Sequence, residues 1–101
     1  MAELKEDSIH KPVRKLHSKR VRIVTPKSVV LIQLELIART LSKGVRPRFV
    51  VISKLDVTTN EPIDSCEFSP TDTKPMEKYL KKIGATPQIK RCMTWVNNKL
   101  K

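Results

Sequence analysis

The stretch SVVLIQLELIARTLSK, residues 28–43, decides the fold. Plotted at 100° per residue, its apolar side chains form two strips. The broad strip contains Val30, Leu31, Leu34, Ile37, Ala38 and Leu41, and the second contains Val29, Ile32 and Leu36. Thr25-Pro26 before the stretch is typical of a helix N-cap and first turn, and Gly44 is typical of a helix end. The sequence therefore predicts a long apolar helix over 28–43 that is covered on two sides, with the C-terminal helices or another subunit as the second cover.

Strands are predicted on both sides of this helix. Residues 20–24, RVRIV, alternate basic and apolar side chains, as in a half-buried strand with both arginines on its exposed face. Residues 48–52, RFVVI, are rich in β-forming residues. Asn60-Glu61-Pro62 is a turn signal before a return strand over 64–68. This pattern indicates a hairpin over roughly 47–68, with a short helix opening at 57–60 as the alternative.

The last third of the chain has helical periodicity. A first apolar stripe contains Met76, Tyr79, Leu80 and Ile83, at spacings of three and four residues, and Gly84 follows it. Thr86-Pro87 repeats the N-cap and first-turn pair. A second apolar stripe contains Ile89, Cys92, Met93, Val96 and Leu100. The sequence predicts two helices joined by the short link 84–86.

Together these elements predict an α+β fold, in which a small antiparallel sheet packs against one long apolar helix and a C-terminal helical pair. Residues 1–18 lack a sustained period and contain Pro12, which is typical of a flexible basic N-terminal arm. Residues 19–101 are expected to form a single α+β domain. Two cysteines do not make a disulfide framework, so we expect free thiols and an intracellular, reducing compartment, cytoplasm or nucleus.

Charge carries most of the functional information. The chain has 21 Lys and Arg against 10 Asp and Glu, a net charge of +11, which favours a polyanionic partner. The signs are grouped in blocks. Residues 8–34 contain seven bases and no acid, residues 56–72 contain five acids and no base, and residues 74–101 contain eight bases and one acid. Two basic regions with an acidic loop between them are therefore expected.

A nucleic-acid contact surface is predicted on both basic regions. The first region supplies Lys11, Arg14, Lys15, Lys19, Arg20 and Arg22. The second region, on the helical pair, supplies Lys78, Lys81, Lys82, Lys90, Arg91 and Lys99. These side chains are expected to contact phosphates, whereas the groups that suit base edges belong to Gln88, Arg91, Thr94 and Asn97.

The helical pair over 75–100 is helix-turn-helix-like. In DNA-binding proteins of that kind the second helix lies in the major groove, and its first turns meet the base edges. Two alternatives remain for this pair: a basic face that contacts phosphates only, and a solvated helical hairpin with no ligand.

Two further patterns bear on nucleic-acid binding. Residues 19–55 are similar to the ribbon-helix-helix family, in which paired strands of a dimer enter the major groove, and the resemblance implies base-reading places for Arg20 and Arg22. The predicted element order also resembles a truncated split βαβ arrangement, and many RNA-binding modules of that type stack bases on sheet aromatics. Phe49 is the one aromatic residue on a predicted central strand, so duplex or structured backbone is favoured over single-strand stacking.

Catalysis is not indicated. His10 and His17 lie in the predicted arm, and Cys66 and Cys92 lack metal-ligand spacing. The chain has two glycines, too few for a phosphate-binding loop. We therefore expect no enzyme, no cofactor and no metal. Trp95 borders the last apolar face and is expected to be a partly buried core anchor, with a partner contact as the alternative.

The sequence thus predicts noncatalytic binding of duplex or structured DNA or RNA through the basic arm and the basic helical pair. The alternative function is a small protein-binding adaptor or assembly subunit, as a homodimer or with another protein, that uses the apolar helix 28–43 and the acidic loop 56–72. No membrane span and no small-molecule substrate are expected, and the arm has few apolar anchors for a membrane surface.

Overall fold

An antiparallel sheet and two C-terminal helices make up the part of the chain that the computed structural model describes, residues 13–39 and 47–100. The strands are β1 (Val13–Val24), β2 (Val29–Arg39), β3 (Arg48–Leu55) and β4 (Pro62–Phe68), paired in the order β1-β2-β3-β4. They precede helix α1 (Thr73–Lys82), a 3-10 turn (Thr86–Gln88) and helix α2 (Ile89–Leu100). The predicted α+β fold, the antiparallel sheet and the helical pair are confirmed.

The predicted long apolar helix over 28–43 is wrong. Val29–Arg39 is the second strand, and residues 40–43 lie outside the described part. On a strand, alternate side chains point to opposite faces. One face of β2 enters the core with Val30, Ile32, Leu34 and Leu36, and the opposite face carries the buried Leu31 and Ile37. An apolar run with both faces buried cannot be told from a buried helix by periodicity, and its β-branched residues favour the strand.

The Thr25-Pro26 pair belongs to a hairpin turn. Thr25 and Ser28 exchange two backbone hydrogen bonds of 2.8 and 3.3 Å. The Thr25 hydroxyl oxygen also accepts the Ser28 N–H at 3.0 Å. Proline fixes a backbone angle that suits both a helix start and the second position of a β-turn. The same two residues therefore predict either structure, and here they connect β1 to β2.

β1 is longer than predicted. It begins at Val13, so residues 13–18 are strand, not flexible arm, and residues 1–12 lie outside the described part. The register shifts between Lys15 and His17, which marks a β-bulge. A bulge breaks the alternation of side chains, and most of this edge strand is exposed, so no period of two was visible in the sequence.

The β3–β4 hairpin is confirmed, and the alternative helix at 57–60 is not formed. The Asp56 carboxylate accepts the backbone N–H groups of Thr58 and Thr59 at 2.7 and 3.1 Å. These hydrogen bonds lower the pKa of Asp56. Strand β3 lies where the ribbon-helix-helix pattern needs a helix, and four consecutive antiparallel strands also exclude the split βαβ arrangement.

The helices cover one face of the sheet, with α1 against β4 and α2 against β2. Both predicted helical stripes are confirmed as core, and Met76, Leu80 and Cys92 are fully buried there. Within the described ranges, neither helix packs on the opposite face of the sheet, which we call the open face. In the same ranges, neither helix is long and apolar enough to cross a membrane.

The link between the helices is a Schellman turn. Gly84 has φ +93°, Ala85 N–H donates to Leu80 C=O at 2.8 Å, and Gly84 N–H donates to Lys81 C=O at 3.2 Å. The predicted helix end at Gly84 is confirmed. The predicted N-cap at Thr86 is wrong, because Ala85 occupies the N-cap position of the 3-10 turn and makes no side-chain cap. This turn sets where α2 begins on the sheet.

Candidate nucleic-acid interface

β1 divides the first basic region between the two faces of the sheet. Lys19 follows the alternation of Val21 and Ile23, which enter the core under the helices. Arg20 and Arg22 lie on the open face, opposite Gln33 and Leu31 of β2. The predicted common exposed face of the two arginines is therefore confirmed, and Lys19 is separated from them.

A shallow groove joins β1 to α2. Its volume is about 580 Å³, and its lining is Lys19, Pro87, Lys90, Arg91, Thr94, Trp95 and Asn98. The six residues after Lys19 recur at spacings of three and four, so they share one face of the 3-10 turn and helix. We call this site the β1–α2 groove. It brings together one cation of the first basic region and two of the second.

The cations of the β1–α2 groove have no acidic neighbour in its lining. Ion pairs between described residues are Lys15–Glu35 and Arg39–Glu67, so Lys19, Lys90 and Arg91 form none there. Lys90 and Arg91 lie in the first turn of α2, which contains no acid. The positive end of a helix dipole disfavours cations at this position. The arrangement therefore costs stability and concentrates positive potential in the groove.

Two charges of the groove also influence the buried Cys92 thiol. Its thiol is fully buried, and burial raises its pKa, whereas the charges of Arg91 and Lys19 lower it. Two cations that are distant in sequence thus act on the same buried sulfur. Both cysteines are free, as predicted.

Trp95 has two environments. It packs against the hydrophobic core as a half-buried residue, and it also lines the β1–α2 groove. Thr94 and Asn98, both exposed, add hydrogen-bonding groups beside it. The groove can therefore offer positive charge, polar contacts and an aromatic surface to one ligand.

Three cations of the open face have partners. Lys15 pairs with Glu35 at 2.7 Å, and Arg39 pairs with Glu67. Arg39 also lies over the Phe49 ring, 5.3 Å from its centroid. Arg20 donates a hydrogen bond to the Gln33 side-chain oxygen at 2.9 Å. Arg20 and Arg22 line a smaller groove of about 370 Å³ with Val29, Leu31, Val57 and Asn60.

The remaining predicted contacts are dispersed. Exposed positions on α1 hold Lys78, Lys81 and Lys82, and exposed positions on α2 outside the groove hold Asn97 and Lys99. Arg14 is exposed on β1, Gln88 is half-buried in the 3-10 turn, and Lys11 lies outside the described residues. The structure thus brings together Lys19, Lys90, Arg91 and Thr94, and adds Trp95 and Asn98. Trp95 and Asn98 could have been found from the sequence, because residues 90, 91, 94, 95 and 98 recur at helical spacings of three and four.

The acids of residues 56–72 mostly have partners inside the fold. Asp64 accepts a hydrogen bond from the Tyr79 hydroxyl at 2.9 Å, and Asp72 accepts one from Ser69 N–H at 3.3 Å. Glu67 pairs with Arg39, and Asp56 stabilises its turn. Burial and the Asp64 hydrogen bond raise the pKa of Tyr79 above its usual value of 10.0. The acidic block therefore contributes to the fold through four of its five carboxylates.

Comparisons of the chain with protein-family models, with curated proteins and with solved structures found no match. The groove's own chemistry is therefore the basis for a functional proposal.

Proposed function

We propose that the protein is a noncatalytic nucleic-acid-binding protein that holds the phosphate backbone of structured DNA or RNA in the β1–α2 groove. The observation that carries the proposal is the convergence of Lys19 from β1 with Lys90 and Arg91 from α2, without an acid in the lining. Phosphate contacts by Lys and Arg fix the position of a nucleic acid without reading its sequence. Thr94 and Asn98 supply hydrogen-bonding groups beside them.

The form of the groove favours a chain of phosphates over a small anion. Its cations come from two elements, and its lining includes an exposed threonine and asparagine. Enclosed, largely apolar pockets are typical of small-molecule sites. A shallow cationic groove suits a polymer with a regular series of negative charges, and the net charge of +11 adds long-range attraction.

A salt series tests the proposal. Binding of the full chain to duplex DNA, duplex RNA, hairpin RNA and single strands is measured between about 50 and 200 mM salt. We expect the logarithm of the association constant to fall linearly with the logarithm of salt concentration, because each phosphate contact releases bound counterions. Binding that is constant across this range would contradict the proposal.

A truncation measures the share of the N-terminal segment. Deleting residues 1–12 removes Lys5 and Lys11 but leaves all of β1 in place. We expect a reduction of at most about two in the magnitude of the salt slope, since two cations are lost. A complete loss of binding would place the main contact in that segment and not in the groove.

The alternative function, a protein-binding adaptor, is favoured by the smaller groove on the open face. Exposed Val29 and Val57 lie there beside Arg20 and Arg22, which fits a partner segment with apolar and acidic side chains. Light scattering over a range of protein concentrations tests whether a second copy is that partner. The variant Val57→Asp should reduce such association and leave nucleic-acid affinity unchanged.

A further inference from the structure

We infer that the β1–α2 groove binds an unpaired nucleotide, whose base stacks on Trp95 while Lys19, Lys90 and Arg91 hold the adjoining phosphates. This inference rests on the proposed function and specifies its ligand: an overhang, bulge or loop of a structured nucleic acid. It changes the expectation from composition, which favoured duplex or structured backbone over base stacking because aromatic residues are few. One well-placed aromatic ring is sufficient for one base.

The position of Trp95 supports stacking. Its ring packs partly on the core, so its orientation is restrained, and it lines the same groove as the three cations. A restrained indole loses little conformational entropy when a base stacks on it.

The pairing of an aromatic surface with cations distinguishes nucleic acid from other polyanions. A sulfated polysaccharide or an anionic membrane would use Lys19, Lys90 and Arg91 but offers no planar base to Trp95. In a continuous duplex the base faces are already stacked on their neighbours, so an indole cannot reach them. A nucleotide with an unpaired base can stack that base on Trp95 and place its phosphates beside the three cations.

The experiment compares ligands that differ only in whether the overhang carries bases. A hairpin with a short single-stranded overhang is bound by the full chain, and the same hairpin with abasic sites in the overhang is the matched ligand of equal charge. We expect the abasic ligand to bind about 5-fold to 150-fold more weakly, from a stacking free energy of about 1–3 kcal/mol per base. Trp95 is the single tryptophan, so its fluorescence reports the contact directly, with quenching by the intact ligand only.

Two variants separate stacking from charge. Trp95→Leu should lose the preference for the intact over the abasic ligand and keep the wild-type salt slope, whereas Trp95→Phe should retain part of the preference. If Trp95→Leu fails to fold, the abasic comparison on the wild-type chain decides. Equal affinity of the wild type for both ligands, with strong salt dependence, would overturn the stacking inference and leave the proposed function standing. Salt-independent or undetectable binding to every ligand would overturn both.

Discussion

The two sides of β1 use basic residues differently. On the open face, Lys15 pairs with Glu35, Arg20 bonds to Gln33, and Arg39 of β2 pairs with Glu67 of β4. On the helical side, Lys19 lines the same groove as Lys90 and Arg91, and no acid is in that lining. Three cations of the open face thus link neighbouring or nearby strands, whereas among the described residues the groove cations form no ion pair.

This difference shows why net charge alone locates no binding surface. Most of the lysines and arginines of a +11 protein can be placed for solubility or for pairing within the fold. The groove stands out because its charges are unfavourable for the fold, at the positive end of α2 and near one another. Residues that lower stability at one place are candidates for function.

The largest expected effect comes from reversing the groove charges. The triple variant Lys19→Glu, Lys90→Glu, Arg91→Glu should bind structured nucleic acid roughly 1000-fold more weakly, from about 1.5 kcal/mol for each charge-assisted contact. Its free energy of unfolding should nevertheless rise by about 0.3–1 kcal/mol, because acids in the first turn of α2 suit the helix dipole. Filter binding and chemical denaturation measure the two quantities. A variant that loses stability together with affinity would show that these cations hold the fold.

The Schellman turn that places α2, and so the groove, should give the next largest effect. Gly84 has φ +93°, and an added Cβ would lie 3.3 Å from Val30 Cγ2. Gly84→Ala should therefore lower the free energy of unfolding by about 1–2 kcal/mol, the cost of the left-handed conformation for an L-residue. Gly84→Asn is the control and should cost less, since asparagine tolerates this conformation better. Equal losses would mean that backbone conformation is not the cause.

A smaller effect is expected where the acidic block meets α1. Tyr79→Phe removes the hydrogen bond to Asp64 and should cost about 1 kcal/mol of stability, measured by urea denaturation. Because the raised pKa favours the neutral phenol in the fold, this contribution is fully present below about pH 10 and is lost as the pH rises further. The stability difference between wild type and Tyr79→Phe should therefore shrink above pH 10.

The same group has a direct spectroscopic readout. Tyr79 is the single tyrosine, so phenolate absorbance reports it alone. Its titration midpoint in the folded protein should lie above 10, and in denaturant it should return to about 10. Identical midpoints in the two states would contradict the burial of the hydroxyl beside Asp64.

The smallest effect is expected on the open face. Glu67→Gln breaks the pair with Arg39, in which each side chain is 33% exposed. Such pairs contribute about 0–1 kcal/mol, so the change in unfolding free energy should stay below about 1 kcal/mol. Affinity for nucleic acid should not fall. A marked loss of affinity would place the binding surface on the open face and remove the contrast with the groove.

The sequence predicts the local patterns and misses what depends on long-range pairing. The alternation at 20–24 and the stripe at 76–83 have one buried face each, so their periods identified a strand and a helix. Both faces of β2 carry buried apolar side chains, so the alternation of apolar and polar residues that marks a strand is not seen in its sequence. The sequence could not show that Lys19 lies beside α2, because the packing of α2 on β2 sets that contact.

The contrast between groove and remaining surface is tested most directly by two variants of equal charge. One carries Lys19→Gln, Lys90→Gln and Arg91→Gln. The other carries Lys27→Gln, Arg48→Gln and Lys74→Gln, at exposed positions outside the groove. The measured quantity is the slope of the logarithm of the association constant against the logarithm of salt concentration. We predict that the magnitude of this slope falls by about 2–3 in the groove variant and by less than about 1 in the matched variant. Equal reductions would show that binding follows net charge and that the groove has no special role.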